Sequence, residues 1–335
     1  MVQPLPGIGD VIWYLPHLHA IADASEAVSL LTKPRSFADV ILKTDSAIEE
    51  VIWLERNPGK HSGFFGFFRL IREIRKRNFR QAWVLHGSSR YAWILYLAGI
   101  PQTYGYGVSF QRYLFTEADC LLSEQELAVH GIERADTLLA HAAIPRLNKD
   151  PKLRFDKLNI DLDKYAQKYK FSPKTVKVAF AVGSSVPFKQ WGADNFAALA
   201  NQIHSLGPVQ IILIGGPDET ELANDIIKRS TVPPDTYIVL AGIPLEEVAL
   251  LLSLCDACVG NDTGVLNIAA ASNTHSIGLF GSTTPLSYSS FLHPVVPEGA
   301  VPSSKQQNSV NRMHEITVQQ VTQQLQKLLS FDNNA

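Results

Sequence analysis

Short apolar runs alternate along the chain with longer segments whose apolar positions recur every three or four residues. In the first half, Val28–Leu31, Glu50–Leu54 and Gln81–Leu85 read as strands, with helices between and after them. In the second half, Val176–Ala181, Val209–Ile214, Tyr237–Leu240, Cys258–Val259 and Ser276–Phe280 do so, separated by helices over about 194–206, 219–229, 245–254 and 264–272. This alternation predicts an α/β protein built on parallel sheets. Residues 146–175 break the pattern: they are rich in Lys, Asp and Pro and hold one helix around Asp163–Tyr169. They mark a connection at 151–175 between a first domain over 1–150 and a second over 176–312. Residues 294–312 are polar and proline-containing and read as a loop. In the tail 313–335, Thr317 with Gln320 forms a capping-box pattern ahead of Val318, Val321, Leu325, Leu328 and Leu329, one apolar face of a final helix.

Composition narrows the class. At 335 residues the chain exceeds one small core and fits two domains. Hydrophobic residues at 46% and charged residues at 19% are globular values. A net charge of -2 gives no field that favours nucleic acid. No segment reaches the roughly 20 apolar residues that span a bilayer, and the start, with Asp10 and three prolines (Pro4, Pro6, Pro16), lacks the basic region of a signal peptide. Three cysteines make no disulfide framework, so a reducing, cytoplasmic setting is expected. Cys255 and Cys258 have a Cys-x-x-Cys spacing, but the third cysteine, Cys120, is distant, and the pair sits where small hydrophobes belong. Inert packing is expected there.

The chemistry concentrates where strands give way to loops. An apolar run, Ala257 to Val259, feeds the turn Gly260-Asn261-Asp262-Thr263-Gly264, and an alanine-rich helix follows at once. The free N–H groups at such a helix start favour a phosphate, and Asp262 adds an acceptor for a ribose hydroxyl; the turn can equally be a bare cap. Gly7-Ile8-Gly9-Asp10 offers a tight turn with a carboxylate, suited either to general-base work or to capping a helix. In Gly183-Ser184-Ser185-Val186-Pro187-Phe188-Lys189-Gln190-Trp191, two hydroxyls and a lysine can hold a diphosphate, or the lysine can be simply solvated. Gly215-Gly216-Pro217-Asp218-Glu219 lets a ligand approach closely; Glu219 can accept from ribose hydroxyls or favour a helix start. Two open sheets in two domains usually leave a cleft with ligands at the carboxyl ends of their strands.

Taken in order, Gly7 to Asp10, the Ser184-Ser185 to Lys189-x-Trp191 loop, Ile214 to Glu219, Leu240-Ala241-Gly242, Gly260 to Gly264 and Leu279-Phe280-Gly281-Ser282-Thr283-Thr284-Pro285 resemble glycosyltransferase family 9, the lipopolysaccharide heptosyltransferases. Leu70 to Phe79, Leu85-His86-Gly87-Ser88 and His130 to Arg134 look like that family's first domain. The resemblance implies a GT-B architecture of two Rossmann-like domains, with an acceptor-binding first domain and a donor-binding second one. It implies inverting, metal-independent transfer from a nucleotide-diphosphate sugar, ADP-heptose, to a lipid-linked core saccharide, without a cofactor. By position, Asp10 would be the general base, with Gly9 beside it on the donor side. Ser184, Ser185 and Lys189 would hold the diphosphate, helped by Thr263 and Gly264. Glu219 would reach the ribose, Asp262 the donor sugar or ribose, and Gly242 and Ile243 the adenine. The final helix would cross back over the first domain.

The chain departs from the family at three places. Asn267 stands where many members carry histidine, which leaves the donor sugar open. Thr283-Thr284-Pro285 replaces the usual Thr-Asp-Pro. Only Met1 to Pro6, with two prolines, precede the Gly7 turn, so a late start and a weakened first strand are expected. The basic run Arg69 to Arg80, preceded by Phe64, Phe65, Phe67 and Phe68, suits a peripheral contact with the cytoplasmic face of the inner membrane. Phe67, Leu70, Ile71 and Ile74 on one helical face also fit a packed helix with a solvated outer side. Arg90 is a weaker candidate for an acidic acceptor sugar. Two other readings remain: a GT-B enzyme using another nucleotide sugar, for transfer or epimerisation, and a catalytically silent sugar-nucleotide-binding protein.

Overall fold

Continuous apolar runs become strands buried on both faces, as parallel sheets covered by helices require. The computed structural model describes residues 1–3, 7–146, 148–157, 160–184, 186–281, 283–285, 288–299 and 312–329. The chain divides into two compact units, Met1–Leu158 and Asn159–Ala335, so the division falls inside the anomalous 146–175 stretch.

The first unit holds five parallel strands, β1 (Val2–Gln3), β2 (Val28–Thr32), β3 (Ile48–Trp53), β4 (Gln81–Val84) and β5 (Gln102–Gly105), in the order β3-β2-β1-β4-β5. The expected weakness at the first strand is corrected. β1 is central and pairs on both sides, Val2 standing opposite Leu30 in β2 and Trp83 in β4. The ladder with the β4 side runs on, Trp83 N–H donating to the Met1 carbonyl and Leu85 N–H to that of Gln3, both at 2.9 Å. Pro4 and Pro6 follow Gln3 and lie outside the described residues. β5 is an edge strand whose polar Gln102 and small Gly105 carry no apolar alternation, which hid it in the sequence.

The second unit holds six parallel strands in the order β11-β10-β9-β6-β7-β8. They are β6 (Val176–Ala181), β7 (Val209–Gly215), β8 (Tyr237–Ala241), β9 (Ala257–Asn261), β10 (His275–Leu279) and β11 (Leu292–Val295). β11 takes two residues of the expected 294–312 loop and carries Pro294, which an edge position tolerates; residues 300–311 lie outside the described ones. The order reverses between β6 and β9, where Phe180 faces Val259 and Ala181 faces Gly260. Such reversals open a crevice at the carboxyl ends of the strands.

The final helix (Val318–Leu328) is capped by Thr317, whose hydroxyl accepts from Gln320 N–H, as its sequence predicts. Its apolar face packs within the second unit. Val321 and Leu325, fully buried, join the second unit's own core with Phe180, Phe196 and Leu279, and Thr322 hydrogen-bonds Gln202. No described helix is long and apolar enough to cross a membrane.

All three cysteines are buried and unbridged. Burial pushes the Cys258 thiol up to about 12 and that of Cys255 well above its ordinary value, removing the thiolate that reacts. A thiol reagent at mildly alkaline pH should therefore leave the folded protein unmodified and label it only on unfolding. Leu325→Ala should lower the stability of the second unit by ~2–5 kcal/mol in urea unfolding, the range for a filled core position. A negligible loss would mean that the final helix is not part of that core.

Candidate active site

At the β6/β9 reversal, the loops after the two strands are joined by one buried amide. Asn261, fully buried at the end of β9, donates through Nδ2 to the Val182 carbonyl at 2.7 Å and accepts through Oδ1 from Trp191 N–H at 3.0 Å. It thus ties both ends of the 183–190 loop to the neighbouring strand. Trp191, itself buried, donates its indole N–H to the Ile316 carbonyl at 2.8 Å and anchors the segment leading to the final helix.

The cavity above this junction has a volume of about 360 Å³ and is lined by Ala181, Gly183, Ser184, Val186, Lys189, Ile214, Gly215, Gly216, Glu219, Asp262, Thr263, Gly264 and Val265. Six residues singled out in the sequence, Ser184, Lys189, Glu219, Asp262, Thr263 and Gly264, are therefore gathered around one space. Ser185 lies outside the described residues. Lys189 Nζ donates to Asp262 Oδ2 at 2.6 Å, a half-buried ion pair. The Thr283 hydroxyl donates to the same oxygen at 2.8 Å. Thr283 was missed as a site residue because nothing in its local pattern says that it meets an aspartate twenty-one positions away.

The helix Gly264–Ala271 starts at this cavity. Its cap residue Thr263 makes no side-chain hydrogen bond to the first turn, so the first N–H groups keep their capacity for an anion. Across the cavity, Glu219 lies among three glycines. A Cβ on Gly183, Gly215 or Gly216 would come within 2.9, 2.7 or 2.8 Å of its side chain. These glycines clear the room that the Glu219 side chain occupies, a close-approach role that the Gly-Gly pair suggests in sequence. The Lys189–Asp262 pair and the free helix N–H groups, with the Glu219 carboxylate across the cavity, suit a ligand with an anionic part and a hydroxyl-bearing part.

The remaining predicted residues are placed differently. The Ser184 hydroxyl is engaged within its own loop, donating to the Val186 carbonyl at 3.1 Å and accepting from Val186 N–H at 3.2 Å. Asn267 donates its amide back to the Thr263 carbonyl at 3.1 Å along its own helix and is not among the cavity-lining residues. Gly242 and Ile243 do not line it either, but Gly242, in the left-handed region at φ 74°, donates its N–H to the Gly215 carbonyl at 3.1 Å and braces the cavity wall.

In the first unit, Gly9 and Asp10 lie in the first turn of the helix Ile8–Trp13, which follows β1. Asp10 Oδ2 accepts from Gly7 N–H at 2.9 Å: Gly7 rather than Asp10 is the N-cap, and Asp10, in the first turn, spends one carboxylate oxygen on the cap's N–H. β1 and β4 flank that sheet's own reversal. Past β4, His86 accepts from Ser88 N–H through Nδ1 at 2.9 Å, which places its proton on Nε2. Burial, then the charge of Lys33, lowers its pKa, while Asp10 raises it. His86, in the Leu85-His86-Gly87-Ser88 segment, is thus an Nε2 donor within electrostatic reach of Asp10. Arg90 donates to the His61 carbonyl at 3.3 Å and lies over the Phe67 ring at 4.8 Å, so part of its side chain is used in packing.

Asn261→Ala would orphan the Trp191 N–H and the Val182 carbonyl. The expected cost is ~1–3 kcal/mol in thermal unfolding, with faster hydrogen exchange at Trp191. Unchanged exchange would show that the loop is held by something else.

Comparison with known proteins identifies the family and the fold. The sequence profile of "Glycosyltransferase family 9 (heptosyltransferase)" matches residues 67–325. "Lipopolysaccharide heptosyltransferase 2" of Salmonella typhimurium is 27% identical over 227 residues, which are 65% of this chain and 64% of that enzyme. The match therefore spans just under two thirds of the relative. Among solved structures, a glycosyl transferase family 9 protein from Veillonella parvula superposes with a TM-score of 0.79 at 19% identity, covering 98% of this chain and 96% of the other. The Escherichia coli ADP-heptose lps heptosyltransferase II does so with a TM-score of 0.71 at 19% identity, covering 98% and 97%. These two share the fold, with parallel α/β units of GT-B type.

Proposed function

The chain belongs to glycosyltransferase family 9, and on that footing we propose that it moves a heptose from ADP-heptose to a lipopolysaccharide core saccharide with inversion at the anomeric carbon. The observation that carries the reading is the cavity at the β6/β9 reversal, where Lys189, an open helix start, Glu219 and Asp262 surround one space. A nucleotide-diphosphate sugar needs those groups: cation and N–H donors for the diphosphate, carboxylates for ribose and sugar hydroxyls. A protein of this fold described as an ADP-heptose enzyme supports the choice of nucleotide.

In this reading Asp10 takes the proton from the acceptor hydroxyl through the oxygen not held by Gly7. The acceptor oxygen forms a bond to the anomeric carbon as the bond from that carbon to the β-phosphate oxygen breaks, and ADP leaves with the extra negative charge. Lys189, drawn from Asp262 toward the diphosphate, and the N–H groups of the Gly264 helix stabilise that charge. They do so without a metal. Glu219 holds the ribose, and Gly242 and Ile243 border the base. Asn267, standing where many members of the family carry histidine, motivates a second reading in which the transferred sugar is not a heptose.

Asp10→Asn should lower turnover by ~10²–10⁴, the span of general-base catalysis, with donor affinity intact; wild-type turnover would remove Asp10 from the chemistry. Lys189→Ala should weaken ADP binding by about 10- to 150-fold in calorimetry, the equivalent of one charged hydrogen bond. Chelators should not change the rate. Tight binding of UDP with none of ADP would overturn the donor assignment, and mass analysis of acceptors incubated with a panel of nucleotide sugars would identify the sugar moved.

A further inference from the structure

The helix Gly63–Arg75 of the first unit buries Gly66, Leu70, Ile71 and Ile74, which leaves its opposite face to solvent. That face carries bulky aromatics at its start: Phe64 is 72% exposed, Phe65 85% and Phe68 48%. Their rings pack edge to face, Phe64 with Phe68 at 4.9 Å and with Phe65 at 5.8 Å between centroids. At 100° per residue, Phe65 and Phe68 share this face with Arg69, Arg72 and Lys76, all exposed.

The cations differ in what they do. Arg77 pairs with Glu50 at 2.8 Å, and the Arg75 guanidinium donates to the Leu97 and Ala98 carbonyls of the next helix. The helix's one acid, Glu73, is turned to His61 and Lys60. Arg69, Arg72 and Lys76 have no acidic partner among the described residues. The neighbouring helix Ser89–Ala98, joined to the first by Arg90 over the Phe67 ring and by Arg75 at its far end, adds exposed Trp93 and Tyr96.

Clustered rings of this size are unusual on a solvated surface. Aromatic rings one turn from unpaired cations match a bilayer interface, the rings entering the acyl boundary and the cations meeting lipid phosphates. Trp and Tyr are the residues that favour that depth. We infer that this face docks the first unit onto an anionic membrane surface. The packed apolar side and the solvated outer side weighed in the sequence are both present; the exposed phenylalanines are what a merely solvated face does not explain. The inference concerns binding without turnover and stands apart from the donor assignment.

The whole chain should co-sediment with vesicles of phosphatidylglycerol in phosphatidylcholine, and far less with phosphatidylcholine alone. Arg69→Gln with Arg72→Gln should weaken binding about 30-fold, given the contribution of each cation near such a surface. Phe65→Ser with Phe68→Ser should weaken it at least about tenfold. Both variants should melt as wild type does, since the four side chains are exposed. The proposal fails if wild type does not bind, if it binds neutral vesicles equally well, or if either pair leaves binding unchanged. It also fails if, without lipid, the phenylalanines hold a dimer that the Ser variant dissolves.

Discussion

The buried amide of Asn261 is the interaction on which the second unit's site depends. One side chain satisfies a strand carbonyl and a loop N–H at once, in surroundings where either, left unmet, would be costly. Its effect is positional. With both ends of the 183–190 loop fastened to β9, Lys189 comes within reach of Asp262, and the start of the Gly264 helix faces the same space. The sheet contributes the other half of the constraint, because the strand order reverses where Asn261 sits and the flanking helices diverge there.

The first unit meets an analogous constraint with less material. A two-residue strand holds the centre of its sheet because both neighbours pair with it and Val2 is wholly buried. The turn that follows delivers Asp10 to the first turn of a helix, where capping orients the carboxylate and leaves one oxygen for other work. Capping and catalysis, alternatives on spacing alone, are compatible roles for one side chain. The same unit tolerates exposed phenylalanines on a helix whose other side is fully packed, so their exposure is not a failure of the core.

Much of this organisation is legible in residue order. The strands β6 to β10 follow from apolar runs bounded by glycine-rich turns, and the capping box of the final helix from Thr317 and Gln320. The site loops were visible because they must follow strands and must be rich in glycine and short polar residues. The edge strands β5 and β11 were not visible, since polar or proline-containing edges lack periodicity. Thr283 and Asn261 were also illegible as site-building residues, because what they do depends on partners distant in sequence.

The sequence by itself determined the alternation of strand and helix, the two-part division, the family and the residue types available at each loop, all of which rest on local pattern and spacing. Tertiary structure alone decided which partners those residues take: Lys189 on Asp262, Glu219 among three glycines, Val321 and Leu325 of the final helix in the second unit's core. It also decided that Phe64, Phe65 and Phe68 stay outside. Local periodicity says that a face is apolar, but only packing says whether another element arrives to cover it.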